Sequence, residues 1–292
     1  MPRGRIISSE KDRYIVRIEG ELADVACRGR GVFRERSITP TVGDLVEVRL
    51  NGREGTILSV LPRRNLLFRP PVANIDQVLV VQTIVEPKVQ PILFDKLLAV
   101  FESQRIPVLI CFNKIDRVSE ELLGIWERRY RLADYPVFSA NALNGEGVSV
   151  LTDALYGKIT AIAGPSGAGK STLIRRLSGS DRAVSGALSE KNARGKQTTR
   201  RVELFQIGVS SYIFDTPGFS SLELRGFDKG LALRAAFREI HARQDACRFR
   251  DCTHRREPGC AVRAAVEAGE IDEQRYRSYR MLFEEIEAKR RY

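Results

Sequence analysis

The octapeptide at residues 164–171 has the composition of a phosphate-binding loop. Its glycines let backbone N–H groups turn inward around phosphate oxygens, at the positive end of the helix that follows. Lys170 is expected to reach the β and γ phosphates, and the Ser171 hydroxyl is expected to bind magnesium. The alternative is a chance Gly-rich turn. The predicted nucleotide-binding residues here are Gly164, Pro165, Ser166, Gly167, Ala168, Gly169, Lys170, Ser171 and Thr172.

A second segment, Asn113-Lys114-Ile115-Asp116, has the residues that select guanine over adenine. Guanine offers adjacent N1–H and N2–H donors, and one carboxylate, here Asp116, accepts both. Asn113 is suited to bridge the base and the loop, and the Lys114 stem to cover the ring face. The alternative is that Asp116 only initiates a helix. Ser139-Ala140 follows the next strand, where a backbone N–H is expected to meet the guanine O6.

Asp215-Thr216-Pro217-Gly218 fits the segment that senses the γ-phosphate. Asp215 is expected to be linked to magnesium, and Gly218 is expected to offer its N–H to the γ-phosphate. The alternative is that the tetrapeptide only forms a turn. In the polar stretch before it, Thr198 or Thr199 is the candidate hydroxyl that closes over magnesium, and the sequence does not choose between them. The predicted catalytic residues are Lys170, Thr198, Thr199, Asp215 and Gly218.

Phe219 occupies the position where many GTPases carry a glutamine that orients the attacking water. Phenylalanine cannot perform that role. Besides His254, which belongs to a metal-ligand cluster, His241 is the only histidine in the chain. The sequence therefore predicts slow hydrolysis by the isolated protein, accelerated when a partner orders the polar stretch at residues 179–200.

Three cysteines and one histidine near the C-terminus have the types and number of a closed zinc site. Three thiolates and one imidazole fill a tetrahedral shell with no open position, which indicates a structural rather than a catalytic ion. Ordinary reduced cysteines are the alternative. The predicted zinc ligands are Cys247, Cys252, His254 and Cys260.

A sheet of alternating strands and helices must position the nucleotide motifs. Apolar runs at residues 78–81, 108–112 and 159–163 are typical of buried parallel strands, and amphipathic segments at 94–101 and 122–130 of the helices between them. The guanine-reading segment precedes the phosphate loop, the reverse of the order in an ordinary GTPase. If both serve one nucleotide, the GTPase core is circularly permuted.

Before this sheet, the chain has the short strands and Gly-rich turns of a small closed barrel. The barrel is rich in arginine and contains Phe33, as an oligonucleotide-binding surface would be, although a charged exterior alone explains the pattern equally well. The arginines are Arg28, Arg30, Arg34, Arg36, Arg53, Arg63 and Arg64.

The composition agrees with a basic protein of two or three domains. The 292 residues have a formal net charge of +11 and a pI near 9.7, which makes nucleic acid a candidate partner. The five cysteines are odd in number and clustered, which favours metal binding in a reducing cytoplasm over secreted disulfides. No segment is apolar and long enough to span a membrane, and no membrane partner is expected.

The motif order, the barrel and the Cys/His cluster together resemble the circularly permuted, ribosome small-subunit-dependent GTPases of the RsgA (YjeQ) family. The resemblance covers essentially the whole chain. It implies an oligonucleotide-binding (OB) barrel at 1–68, a circularly permuted P-loop GTPase domain of α/β class at 69–225, and a helical zinc-binding domain at 226–292. It further implies a cytoplasmic monomer that binds GTP or GDP with magnesium and one structural zinc.

The expected partner is the small ribosomal subunit with its rRNA, which stimulates hydrolysis during late assembly. Gln197 stands where relatives often carry histidine, so a role for histidine there is not carried over. Two other functions stay open: an RNA-binding assembly factor whose nucleotide site only binds, and a nucleoside kinase or transporter ATPase that shares the loop.

Overall fold

The structure is a computed structural model that describes residues 1–10, 12–21, 23–29, 33, 38–68, 71–179, 202–215, 227 and 230–289. The chain divides into two compact units. The first contains Met1–Gln77, Val148–Ala163 and Lys170–Phe219, and the second contains Val78–Gly147, Gly164–Gly169 and Ser220–Tyr292. Each unit is therefore assembled from segments that are distant in sequence.

After the first seven strands, strands and helices alternate from residue 77 to residue 178, and the described part of the chain after β13 contains only helices and turns. The strands are β1 (Arg3–Glu10), β2 (Arg13–Ile18), β3 (Asp24–Gly29), β4 (Leu45–Asn51), β5 (Glu54–Val60), β6 (Leu66–Phe68), β7 (Pro71–Ala73), β8 (Gln77–Gln82), β9 (Val108–Asn113), β10 (Val137–Ala140), β11 (Ile159–Ala163), β12 (Val202–Gly208) and β13 (Ser211–Asp215). The α-helices are α1 (Pro91–Ser103), α2 (Glu120–Arg131), α3 (Val148–Leu155), α4 (Lys170–Ser178), α5 (Arg238–His241), α6 (Ala261–Glu267) and α7 (Glu273–Lys289).

The first five strands form a closed barrel within the first unit. They pair in the order β1-β2-β3-β5-β4, and β4 returns to pair with β1, so the sheet has no free edge. Alternate side chains point inward, and the interior is apolar, with Ile6, Val16, Val46, Val48 and Ile57 fully buried. The closed barrel predicted from the short strands is thereby confirmed.

Two of the barrel's arginines form ion pairs within the protein. Arg63 forms a bidentate ion pair with Asp44, at 2.7 and 2.8 Å, and Arg64 pairs with Asp76 at 2.7 Å. Phe33 is 7% exposed, which corrects the expectation of a stacking aromatic, because its ring is buried beside Gly29. Of the predicted arginines, Arg30, Arg34 and Arg36 lie outside the described residues.

Arg28 and Arg53 instead line an open cleft of about 330 Å³ on the barrel, between β3 and the turn that joins β4 to β5. Both side chains are exposed, and their use on phosphates stays a prediction. The cleft also contains Asn51, Glu54 and Thr56.

The same unit contains a run of three strands in which β11 pairs in parallel with β13, and β13 pairs antiparallel with β12. Helix α4 packs against β12 and β13. β12 also pairs with barrel strand β1, where Ser8 lies opposite Glu203 and Ser9 opposite Val202. Backbone hydrogen bonds therefore join the barrel directly to the hairpin β12–β13.

The second unit contains the parallel strands β8, β9 and β10, with β9 in the middle. β8 and β9 are buried along their whole length, as their uninterrupted apolar runs predict. Aromatic residues fix the flanking helices: Tyr130 of α2 lies edge-on to Phe94 of α1, with ring centroids 4.9 Å apart, and Trp126 contacts Phe112. The α/β sheet predicted here is confirmed.

The C-terminal tail, here residues 230–289, packs into the second unit around its own apolar core. The last helix has an apolar face, since Tyr279, Leu282, Phe283 and Ile286 are all buried. Within the described ranges, none of the helices has the length and apolar character needed to cross a membrane.

A buried ionic cluster attaches the tail to α1. Arg275 donates hydrogen bonds to Asp95 at 2.6 Å and to Glu239 at 2.8 and 3.1 Å, and all three side chains are at most 2% exposed. The Tyr130 hydroxyl also donates to Asp95. Burial alone would lower the pKa of Arg275, but the two carboxylates raise it well above the ordinary value, so the guanidinium stays charged.

Candidate nucleotide and metal sites

The phosphate loop occupies its expected place, between β11 and α4, with Lys170 as the first residue of the helix. Ser171 and Thr172 lie in the first helical turn, where N–H groups have no partner inside the helix and the helix dipole favours an anion. Gly169 must be glycine: its φ is +87°, and an added Cβ would lie 2.2 Å from the Asn113 amide nitrogen. This local structure matches the predicted loop.

Asn113 links the phosphate loop to the segment that follows β10. Its amide nitrogen donates to the Ala168 carbonyl at 2.8 Å, and its amide oxygen accepts from the Ala142 N–H at 3.1 Å. The side chain is buried, so these hydrogen bonds are shielded from water. Two segments predicted to contact one nucleotide are therefore held together inside the second unit.

Asp116 lies in a 3₁₀ turn, Ile115–Arg117, directly after β9. Its carboxylate is 41% exposed and lies 3.9 Å from the Arg117 guanidinium. Ser119 caps helix α2, since its hydroxyl accepts the Leu122 N–H, so the helix-initiating role considered for Asp116 is filled by Ser119. The Asp116 carboxylate thus remains accessible to a ligand.

Lys114 has the left-handed backbone conformation, with φ +63°, and its ammonium group donates to the Glu86 carbonyl at 3.1 Å. The lysine stem runs beside the phosphate loop. Its Cε lies 3.9 Å from the position that a Cβ on Gly169 would occupy. Its covering of a ring face stays a prediction.

Ser139 and Ala140 end β10, and Ala140 lies opposite Asn113 in the parallel ladder. The carboxyl ends of neighbouring parallel strands meet at one edge of the sheet, which brings this pair beside the guanine-reading segment. The Ser139 hydroxyl donates a short hydrogen bond to Glu127 of α2. Sequence reasoning did not identify Glu127, because a glutamate among arginines on a helix surface has no distinguishing pattern.

In the first unit, Asp215 ends β13, and its backbone lies opposite Ile162 of β11, two residues before the phosphate loop begins. Asp215, the predicted magnesium-linked residue, therefore lies at the carboxyl end of β13. This strand is the neighbour of β11, which leads into the phosphate loop. The other predicted switch residues, Thr198, Thr199 and Gly218, lie outside the described residues, as do Gln197 and Phe219.

Arg17 of the barrel reinforces the attachment to the β12–β13 hairpin. It forms a bidentate ion pair with Asp24 at 2.7 and 2.9 Å and donates to Gln206 at 2.5 Å. Its guanidinium also lies 5.9 Å from the centre of the Tyr212 ring. Since β12 starts just after the threonine pair and β13 ends at Asp215, the barrel contacts the hairpin between the two predicted switch segments.

The four predicted zinc ligands converge in the tail. Their ligand atoms all lie within 4.8 Å of one another, and the His254 Nδ1 is 3.5 Å from both the Cys247 and Cys260 sulfurs. Zinc–sulfur bonds of about 2.3 Å and zinc–nitrogen bonds of about 2.0 Å, at tetrahedral angles, place such atoms about 3.5 Å apart. The donor set therefore fits a tetrahedral zinc ion, with Nδ1 as the imidazole ligand.

The protonation of these groups also fits a metal. Burial, with a smaller effect of Arg234, lowers the pKa of His254 to about 4, so the ring is neutral and has a lone pair to share. Burial raises the pKa of Cys252 to about 12, which disfavours a thiolate in the protein alone. A bound dication reverses that preference, because it stabilises the thiolate directly.

Neighbouring residues hold the ligand loop in shape. The Glu257 carboxylate accepts the N–H groups of Thr253, Arg255 and Arg256, and the Tyr276 hydroxyl donates to the His254 carbonyl at 2.6 Å. His254 itself has φ +59°, a left-handed conformation that is uncommon for residues other than glycine. Such supporting residues could not be identified from the sequence, because they surround the ligands in space but have no spacing pattern.

Two family models match the chain as far as residue 225, and full-length relatives cover nearly all of it. Residues 60–225 match the family described as RsgA GTPase, and residues 3–57 match the RsgA N-terminal domain. The protein "Small ribosomal subunit biogenesis GTPase RsgA" of Caldanaerobacter subterraneus subsp. tengcongensis is 43% identical over 293 residues, covering 99% of this chain and 98% of that protein. The protein of the same name from Bacillus anthracis is 41% identical, with 100% of both chains covered.

Two solved structures share the fold. YjeQ from Thermotoga maritima superposes with a TM-score of 0.82 at 33% identity, over 98% of each chain. YloQ, described as a circularly permuted GTPase, superposes with a TM-score of 0.81 at 32% identity, over 99% of this chain and 96% of that one. The circular permutation inferred from motif order thus has direct structural parallels, and the chain belongs to the RsgA family of GTPases.

Proposed function

We propose that this protein is a magnesium-dependent GTPase that acts in maturation of the small ribosomal subunit and hydrolyses GTP to GDP and phosphate. In this proposal it works as a cytoplasmic monomer with an OB domain at 1–68, a GTPase domain at 69–225 and a zinc domain at 226–292. Binding to the subunit and its rRNA depends on GTP, and the subunit in turn stimulates hydrolysis.

The two hydrogen bonds of Asn113 are the single observation that best supports one guanine nucleotide site. They join the loop that precedes Lys170 to the segment after Ser139-Ala140. In the proposed reading, Asp116 accepts the guanine N1–H and N2–H, Lys170 neutralises the phosphates, and Ser171 with Asp215 holds magnesium.

The ribosomal partner is supported by the relatives' names and by charge. The curated relatives are named for biogenesis of the small ribosomal subunit, and this chain has a net charge of +11. The attachment of the barrel to the β12–β13 hairpin offers a route by which the nucleotide state could alter the barrel. The tail's contacts with α1 give it a second attachment besides the chain after Gly218.

Purified small ribosomal subunits are expected to raise the GTP turnover of the full chain at least about tenfold, because ordering the switch segments places the attacking water. Lys170→Ala should remove both basal and stimulated turnover. Large ribosomal subunits are the matched control and should not stimulate. Phosphate release measured with and without each subunit checks this, and equal turnover in all conditions would contradict the proposal.

GTP and GDP are expected to bind at least about a hundredfold more tightly than ATP and ADP, because the adenine edge lacks the donor pair for Asp116 and would leave that carboxylate unpaired. Competition against a fluorescent GDP analogue measures the ratio. Equal affinities for guanine and adenine nucleotides would favour the alternative function, a nucleoside kinase or transporter ATPase. Guanine selectivity without hydrolysis in a single-turnover assay would favour the RNA-binding factor whose site only binds.

A further inference from the structure

Helix α2 connects the two segments proposed to read guanine, since it begins just after Asp116 and faces the end of β10. The helix is firmly placed. Trp126 and Tyr130 are both buried and stack on one another, and both contact Phe112, the residue before Asn113. A side chain that extends from this helix therefore starts from a fixed position relative to β9.

Glu127 lies between these two aromatic residues and is only 18% exposed. One carboxylate oxygen accepts the Ser139 hydroxyl in a short hydrogen bond, and the other pairs with Arg131 at 2.9 Å. Both oxygens are thus occupied in a defined geometry. A glutamate that only improved solubility would be exposed and unconstrained.

The segment after Ser139 is closed on itself by contacts with residues 146 and 147. The Asn141 N–H donates to the Glu146 carbonyl, and Gly147 lies so close to the Ser139 carbonyl that an added Cβ would be 2.0 Å from that oxygen. Within the described residues, Glu127 provides the hydrogen bond that connects the Ser139 side chain to α2.

We propose that Glu127 is a positioning residue for guanine recognition: it holds the Ser139-Ala140 backbone where an N–H meets the base O6. The inference rests on the proposed function, because it requires a guanine nucleotide at this edge of the sheet. Glu127 does not touch the base itself. It acts through the Ser139 hydroxyl. Substituting Glu127 should therefore weaken the binding only of nucleotides that carry a 6-oxygen.

The test compares three nucleoside diphosphates on the full chain. GDP and IDP both carry O6 and N1–H, whereas 6-thio-GDP keeps N1–H and N2–H and replaces O6 with sulfur, a weak hydrogen-bond acceptor. Glu127→Ala is expected to weaken the binding of GDP and of IDP equally, by about fivefold to tenfold as for loss of one hydrogen bond, and the binding of 6-thio-GDP by less than about twofold. Glu127→Gln, which keeps an oxygen acceptor, should restore most of the affinity.

The exposed Glu121→Ala variant of the same helix is the matched control and should bind all three nucleotides like the unaltered protein. Equal weakening of all three by Glu127→Ala would show general loosening of the site and overturn the inference, as would unchanged GDP affinity or a failure of Glu127→Gln to restore it. If the unaltered protein bound GDP no better than ADP, the proposed function would fail first and this inference with it.

Discussion

Cys252→Ala is expected to reduce bound zinc from one ion per chain to almost none and to unfold the loop between residues 247 and 260. Apparent binding free energies of structural zinc in zinc-finger peptides are about 10–16 kcal/mol, and folding depends on them. Removing one of four ligands leaves an open coordination position, and burial raises the pKa of the remaining Cys260 thiol and so disfavours its thiolate without the ion. The expected effect on the tail is therefore large.

We expect the loop to depend on the ion because it has little regular structure of its own. Between the 3₁₀ turn Gln244–Ala246 and helix α6, no helix or strand is present, although this part of the chain is fully described. The Arg248 N–H donates a hydrogen bond to the Gly259 carbonyl, and Glu257 accepts hydrogen bonds from neighbouring N–H groups. These hydrogen bonds all lie within the loop itself. A central ion would connect these turns to the apolar core around Phe237 and Tyr279.

Zinc content by atomic emission and limited proteolysis of the tail measure the outcome. Cys27→Ala is the matched control, because Cys27 is an equally buried thiol in the barrel, outside the cluster. The Cys27→Ala variant should retain one zinc per chain, and its tail should stay protected from proteolysis. One zinc per chain in Cys252→Ala, or a protected tail after complete chelation, would show that the ion does not hold the loop.

Arg275→Met is expected to lower the free energy of unfolding of the second unit by about 3–5 kcal/mol, the usual cost of removing one partner of a buried ion pair. Methionine replaces much of the apolar volume but no charge. Asp95 and Glu239 then remain in the interior without the guanidinium that both contact. Replacing Asp95 with Asn in the same background should recover part of the loss, since a neutral amide costs less to bury.

Denaturant titration followed by the fluorescence of Trp126 measures this change, because Trp126 is the only tryptophan and lies in the second unit. Arg277→Met, an exposed arginine on the same helix, is the matched control and should change stability by less than about 0.5 kcal/mol. Similar losses in the two variants would mean that the cluster contributes nothing particular to stability.

The effect of Arg275→Met should shrink as the pH falls. Burial raises the pKa of Asp95 above its ordinary value, and Arg275 opposes that rise. Without Arg275 the pKa rises further, so folded Asp95 takes up a proton at a higher pH than unfolded Asp95. Such a group favours the folded state below its unfolded pKa and loses that contribution as the pH rises through the folded pKa. The loss should therefore be largest at neutral pH.

At the nucleotide site, Asp116 could be predicted from the sequence, whereas Glu127 could not. Asp116 belongs to a tetrapeptide at the end of an apolar strand, and base chemistry explains why a carboxylate is needed there. Glu127 has no such pattern, because its partner Ser139 is 12 residues away on another element. The same holds for Arg63, which the sequence grouped with surface arginines although Asp44, its partner, is buried.

The amino-acid sequence by itself determined the phosphate loop, the guanine-reading segment, the alternation of strands and helices, and the four metal ligands. These features depend on neighbouring residues and on hydrophobic periodicity, so they can be read along the chain. Only the tertiary structure decided which charges are buried and which domains are attached. Arg275 reads as part of a polar helix face, yet it pairs with Asp95 across 180 residues. Such a pairing exists only after folding, because the two carboxylates that stabilise the buried charge are brought to it by distant segments.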